Sequence, residues 1–196
     1  TPHKENNTVH AEYYKPNSKG PFPCVIVLDI TGGDQSLSRL IGRHLAQNGI
    51  GGLFVQMAYY GPRRPPGSKL KLMSYDVAHT MRAITQTVLD LRRAAAWMEA
   101  QPEVDRNRLG IMGTSLGSFL AALTAEMEPR LGRVCVLLGG ADFVDGYWDH
   151  PLAAPYFKIL HTLGGRKELL QRVIAPVDPI TCAANLKERD LLIIAA

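Results

Sequence analysis

Phe22 to Asp29 is a continuous β-rich apolar run bounded by Gly20-Pro21 and Gly32-Gly33. A short run without polar alternation predicts a strand buried on both faces, here an early central strand. After the glycines, Leu37, Leu40, Ile41 and Leu45 recur at helical spacing and stop at Asn48-Gly49, a left-handed helix exit, so a helix of about three turns follows. Gly52 to Gln56 predicts a short second strand, and Tyr59 to Gly67 a loop rich in Pro and Gly. The strongest periodicity comes next. Val77, Met81, Ile84, Val88, Leu91, Ala95 and Met98 alternate steps of four and three, one face of a long helix that Pro102 ends.

Arg108 to Met112 predicts a short strand running straight into Gly113, and Leu116, Leu120, Leu123 and Met127 mark a helix stopped by Pro129. Arg133 to Leu138 is a further buried strand ending at Gly139-Gly140. Residues 141–189 read as a cap-like insertion with short helices near 166–174 and 178–186, the latter with Asp178 as N-cap and Pro179 at its first position. Leu191 to Ala196 reads as a buried strand with no turn, cap or polar tail after it, so the expectation is a fragment, incomplete at the C-terminus. Val9 to Tyr14 is a candidate antiparallel edge strand. Helices alternating with buried strands imply right-handed crossovers and one three-layer, doubly wound α/β domain over residues 1–196, with a mostly parallel sheet.

Composition narrows the function classes. The 196 residues are 46% apolar, enough for one core, and the longest apolar runs are far too short to span a bilayer. The net charge of +4 is spread out apart from Arg63, Arg64, Lys69 and Lys71, whereas a DNA-binding face wants denser basic clustering. Cys24, Cys135 and Cys182 are odd in number and widely spaced with apolar neighbours. They read as buried free thiols rather than disulfides or zinc ligands, which leans toward a reducing, cytoplasmic compartment. Thr31-Gly32-Gly33-Asp34 is no dinucleotide fingerprint, and no Gly-Lys-Ser/Thr phosphate loop exists, so nucleotide binding is discounted.

The chemistry centres on Gly113-Thr114-Ser115-Leu116-Gly117. A Gly-x-Ser-x-Gly pattern arises by chance in about one chain in ten of this length, so its context carries the weight. Here it joins a buried strand to an amphipathic helix, where a serine can be held on a strained turn with its hydroxyl exposed. Ser115 is then a candidate nucleophile if a histidine takes its proton, with the Leu116 N–H at the helix start as a candidate oxyanion donor. A small-residue turn that lets a helix pack tightly on a sheet is the competing explanation.

These residues, with Leu28-Asp29-Ile30-Thr31-Gly32-Gly33 and the long helix before the elbow strand, give the chain a resemblance to the α/β-hydrolase superfamily, in its dienelactone-hydrolase, acetyl-esterase and acyl-peptidase-like branch. The resemblance implies a serine hydrolase of carboxylic esters that works without metal or organic cofactor on a small-molecule ester. It also implies a second oxyanion N–H from Ile30 or Thr31, although Asp29-Ile30 stands where many relatives have His-Gly. The family order of nucleophile, acid and histidine places the usual acid and histidine beyond residue 196. Asp142 is an alternative acid one strand earlier, but a cap or turn residue is favoured there, and Asp145 is weaker.

Among the histidines, His79 reads as a surface or helix-packing residue, while His150 and His161 belong to the insertion. Tyr147, Trp148, Tyr156 and Phe157 either form a lid over an acyl pocket or simply pack the insertion. Arg63 and Arg64 either meet an anionic substrate group or form a solvated basic loop, the latter favoured. A non-catalytic binding or scaffold protein that keeps the fold is the alternative function.

Overall fold

The computed structural model describes residues 1–195 apart from 33, 149, 150, 152, 153 and 163, with the side chains of 147, 154, 156 and 160 also outside the description. Gly33, His150 and Ala196 therefore lie outside the described residues, as do the side chains of Tyr147 and Tyr156.

Six strands form one sheet in the order β1-β3-β2-β4-β5-β6. The edge strand β1 (Ala11–Tyr14) runs antiparallel to β3 (Gly51–Val55), as the N-terminal pattern suggests, and every other pairing is parallel. The central strand β2 (Phe22–Leu28) is followed by α1 (Ser36–Gln47), which packs over β1, β2 and β3. This close approach needs small residues, because a Cβ on Gly52 would lie 2.8 Å from the Gly42 Cα of α1. The other sheet face carries α2 (Val77–Glu99) and α3 (Leu116–Met127), which also pack on each other. Strand alternation sends Cys24, Ile26 and Leu28 into that core with Ile84, Leu91, Met98, Leu120 and Leu123. The start of α2 is fixed by Asp76, whose carboxylate accepts the His79 backbone N–H.

The strand before the elbow, β4 (Val104–Thr114), begins four residues earlier than its apolar run suggests. Its polar opening pairs with β2 through a register shift between Phe22 and Cys24, and Arg108 folds back onto Asp105 at 2.6 Å. The register shift lets this polar stretch join the ladder. Next comes β5 (Arg133–Leu137), then α4 (Phe143–Trp148), α5 (Ala154–Thr162), α6 (Lys167–Ile174) and α7 (Pro179–Cys182), and finally β6 (Asp190–Ile194). As expected, Asp178 caps α7 with Pro179 at its first position, and a 3-10 turn over 183–186 continues it. The short helices α4 and α5 lack a sequence signal of comparable strength.

Strand β6 corrects one expectation. It is not buried: among the described residues it forms the sheet edge, paired with β5 alone, and Leu191 to Ile194 are 42–59% exposed. An apolar run predicts a strand, but not how many neighbours cover it. Cys24 is buried, and burial pushes its thiol up to about 12, whereas Cys135 and Cys182 are half-buried; all three are free. Among the described residues no helix is long and apolar enough to cross a membrane.

Candidate active site

The chain turns abruptly where β4 meets α3. Ser115 sits at the junction with φ 54° and ψ −118°, a region that L-residues rarely adopt. Three glycines make the turn sterically feasible. A Cβ on Gly113 would fall onto the Gly117 carbonyl group. One on Gly117 would come within 2.5 Å of the Asp29 carbonyl oxygen, and one on Gly139 would collide with Ser118 Oγ. The motif glycines are therefore demanded by the closeness of α3 to the ends of β2 and β4. Gly139, after β5, is a third requirement that the Gly-Gly strand ending only hinted at.

Every backbone polar group of Ser115 is engaged. Its N–H donates to the Leu137 carbonyl at 2.8 Å, extending the ladder to β5. Its carbonyl accepts from the Ser118 N–H at 2.9 Å and the Ser118 hydroxyl at 2.6 Å, closing the first turn of α3. What remains is the half-buried Ser115 hydroxyl, which has no hydrogen-bond partner among the described residues. The Leu116 N–H, in the unsatisfied first turn of the helix, likewise finds no acceptor there.

The loop after β2 starts beside this turn, since Leu28 pairs in register with Gly113. Asp29 is buried beneath it as a clamp. Its Oδ1 accepts the Ile30 N–H at 2.7 Å and its Oδ2 the Ser38 N–H of α1 at 2.9 Å. The Ile30 amide is thereby committed, whereas no described residue accepts the Thr31 N–H. Gly32, at φ 77°, donates its N–H to the Tyr60 hydroxyl at 3.4 Å and accepts from Gln35 Nε2 at 3.0 Å. Burial pushes the Tyr60 phenol up, so it stays a neutral hydroxyl.

Other candidate residues fall into place or away from the site. Asp142 follows β5 in a left-handed conformation, and its N–H donates to Asp178 Oδ1 at 2.8 Å. Burial, then the neighbouring Asp145 charge, raises its carboxyl above the ordinary aspartate value. Asp145 itself pairs with Lys167, which lowers it. His79 is a packing residue: its ring lies 4.6 Å from that of Tyr59, and its Nε2 is 2.8 Å from the Lys71 carbonyl oxygen. Among the described residues, no histidine or carboxylate is hydrogen-bonded to Ser115.

Arg63 is neither a substrate ligand nor a solvated residue. It is 0% exposed and paired at 2.6 Å with Asp90, itself 1% exposed. Its remaining bonds reach the carbonyls of Gln56 at 2.9 Å and Asn6 at 2.7 Å. Arg64 is half-buried over the Tyr59 carbonyl at 3.3 Å. The local sequence is basic, but the partner carboxylate comes from α2, 27 residues away. Trp148 and Phe157 pack together with ring centroids 5.0 Å apart. Beside Leu116 lies an apolar hollow lined by Met73, Met81, Leu116, Phe119, Phe143 and Val177. Among the described residues no group of three His, Cys, Asp or Glu side chains is placed to hold a metal ion.

A largely parallel sheet flanked by helices, with a strand-turn-helix of this kind near its centre, defines the α/β-hydrolase fold. Acetyl xylan esterase 1 from Thermoanaerobacterium sp. JW/SL YS485 superposes with a TM-score of 0.70 at 23% identity, covering 94% of this chain and 62% of that one. The acetyl xylan esterase from Paenibacillus sp. R4 gives 0.73 at 22% identity, covering 94% and 63%. The chain thus spans less than two thirds of these esterases, and at such identities the likeness shows the fold alone. By sequence, residues 2–153 match the family described as alpha/beta hydrolase domain containing 18, and the chain belongs to that family. A 64-residue stretch is also 36% identical to uncharacterized protein Rv2627c of Mycobacterium tuberculosis, covering 33% of this chain and 14% of that protein.

Proposed function

We propose that Ser115 is the nucleophile of a serine hydrolase that cleaves a carboxylic ester through an acyl-enzyme. The observation that carries this reading is the Ser115 backbone at φ 54° and ψ −118°, with both backbone groups bonded and the hydroxyl left unpartnered among the described residues. Such strain persists only where the surroundings over-determine it, and it concentrates at reacting groups. Ser115 Oγ attacks the acyl carbon while a general base takes its proton. The carbonyl oxygen becomes an oxyanion, which the Leu116 N–H and the Thr31 N–H stabilise. Thr31 is preferred over Ile30 because Asp29 occupies the Ile30 amide. The tetrahedral species collapses to an acyl-Ser115 ester as the alcohol leaves with the proton, and water then reverses the steps to release the acid.

This reading assigns no general base or acid among the described residues. His79 is held by Lys71 and Tyr59, and the Asp142 backbone N–H is bound to Asp178. Residues 141–189 would cap the site, with the apolar side chains of Leu116, Phe119 and Phe143 beside the turn. A binding or scaffold protein without turnover is the alternative, and one experiment separates the two. In the protein at its full natural length, Ser115→Ala should lower p-nitrophenyl acetate hydrolysis by more than about 10³-fold with an unchanged circular dichroism spectrum. Equal turnover in the mutant would remove the nucleophile assignment.

A further inference from the structure

The oxyanion loop is held by a buried polar network that packing alone does not require. Apart from its chain neighbours, no described atom lies within 4 Å of where a Gly32 Cβ would stand, so close packing does not define this glycine; its φ of 77° and its hydrogen bonds do. The Tyr60 hydroxyl accepts the Gly32 N–H at 3.4 Å, and Gln35 Nε2 donates to the Gly32 carbonyl at 3.0 Å. Gln56 Nε2 supports the Gln35 carboxamide at 3.4 Å, and the Gln56 carbonyl accepts from Arg63. Arg63 also donates its backbone N–H to the Tyr60 carbonyl at 3.0 Å. Gln35, Gln56, Tyr60 and Arg63 are all buried. Buried polar groups cost stability unless bonded, and when fully bonded they specify one geometry. Ile30 N–H, Gly32 N–H and Gly32 C=O are all tied, while the Thr31 N–H between them has no acceptor among the described residues.

We infer that Tyr60 and Gln35 are positioning residues that hold Gly32 so that the Thr31 N–H stays aimed at the oxyanion. This rests on the reading of Ser115 as nucleophile. An N–H fixed beforehand in a water-poor site stabilises developing charge without reorganising, so loosening the loop costs rate rather than substrate binding.

Tyr60→Phe keeps the buried ring and deletes only the hydroxyl. Gln35→Asn keeps a residue that tolerates the φ of 65° at this position but withdraws the carboxamide by one methylene. In the full-length protein, each should lower kcat on p-nitrophenyl acetate about tenfold with KM within about twofold. The affinity for phenylboronic acid, whose tetrahedral adduct on Ser115 mimics the oxyanion, should fall by the same factor. Because both act on one glycine, the double mutant should lose less than the product of the single losses. A merely structural role would lower Tm and leave kcat of the folded enzyme and boronate affinity unchanged, which overturns the inference, as does a loss confined to KM. If Tyr60→Phe does not fold, Gln35→Asn decides alone. Turnover that survives Ser115→Ala defeats the site reading and this inference with it. A dead Ser115→Ala beside unchanged Tyr60 and Gln35 variants overturns this inference only.

Discussion

Asp90→Ala removes the only carboxylate paired, among the described residues, with a guanidinium that has no contact with solvent. Arg63 would keep its bonds to the Gln56 and Asn6 carbonyls, but its charge would be unopposed, and its Nε already lacks a partner among the described residues. Deleting one partner of a buried pair costs about 3–5 kcal/mol, because the remaining ion stays desolvated. For a chain of this size each kcal/mol moves Tm by about 2–4 °C, so Tm should fall by about 10 °C. The double replacement Arg63→Met with Asp90→Leu buries no charge and should recover most of that loss, finishing within about 2 kcal/mol of the native protein. Urea titrations and thermal melts of the two single variants, the double variant and the native protein measure the coupling directly. Because the pair is shielded, salt should change it little. An Asp90→Ala protein within 1 kcal/mol of native stability, or a double variant as unstable as the single, would refute the picture of a charge pair sealed under the loop that carries Tyr60.

Three further outcomes follow from particular contacts. Gly113→Ala sets a Cβ on the Gly117 carbonyl group and should cost about 3 kcal/mol or more in chemical denaturation; a neutral effect would mean the turn is looser than described. Glu126 is buried with neither oxygen bonded among the described residues, and burial followed by the Asp178 charge pushes its carboxyl up to about 8. It holds its proton more tightly folded than unfolded, so its stabilising contribution is complete below about 4.5 and is lost as pH rises toward about 8. Glu126→Gln should therefore flatten the decline of Tm across that window, and parallel Tm–pH curves would contradict the assignment. Asp142→Asn keeps a residue suited to the φ of 58° and should lower kcat less than tenfold, whereas a loss of about 10⁴ would make Asp142 the catalytic acid.

Much of the frame is legible in the residues because its signals are local. The four-and-three spacing from Val77 to Met98 marks α2 to within a residue, and the Asp178-Pro179 pair marks the start of α7. The Gly113 requirement is also local, since the Gly117 carbonyl of the same turn crowds it, whereas Gly117 answers to the Asp29 carbonyl of a distant segment. What escapes is whatever depends on distant partners. Arg63 reads as a surface residue because nothing nearby announces Asp90 on another element. Asp29 looks like a defect in the usual loop pattern, yet it is a clamp between the loop and α1, visible only once Ser38 is brought beneath it. Gln35 carries no motif at all, and its role depends on Gly32 and Gln56 converging on it. The exposure of β6 follows from the order of strands, which an apolar run does not encode.

The central claim is that the Ser115 hydroxyl is activated for attack on acyl carbon. Incubating the full-length protein with a fluorophosphonate, followed by intact-mass and peptide analysis, tests it most directly. A single phosphonyl adduct on the peptide containing Ser115, absent from Ser115→Ala, is the predicted result. An unmodified protein, or an adduct on another residue that persists in Ser115→Ala, would contradict it.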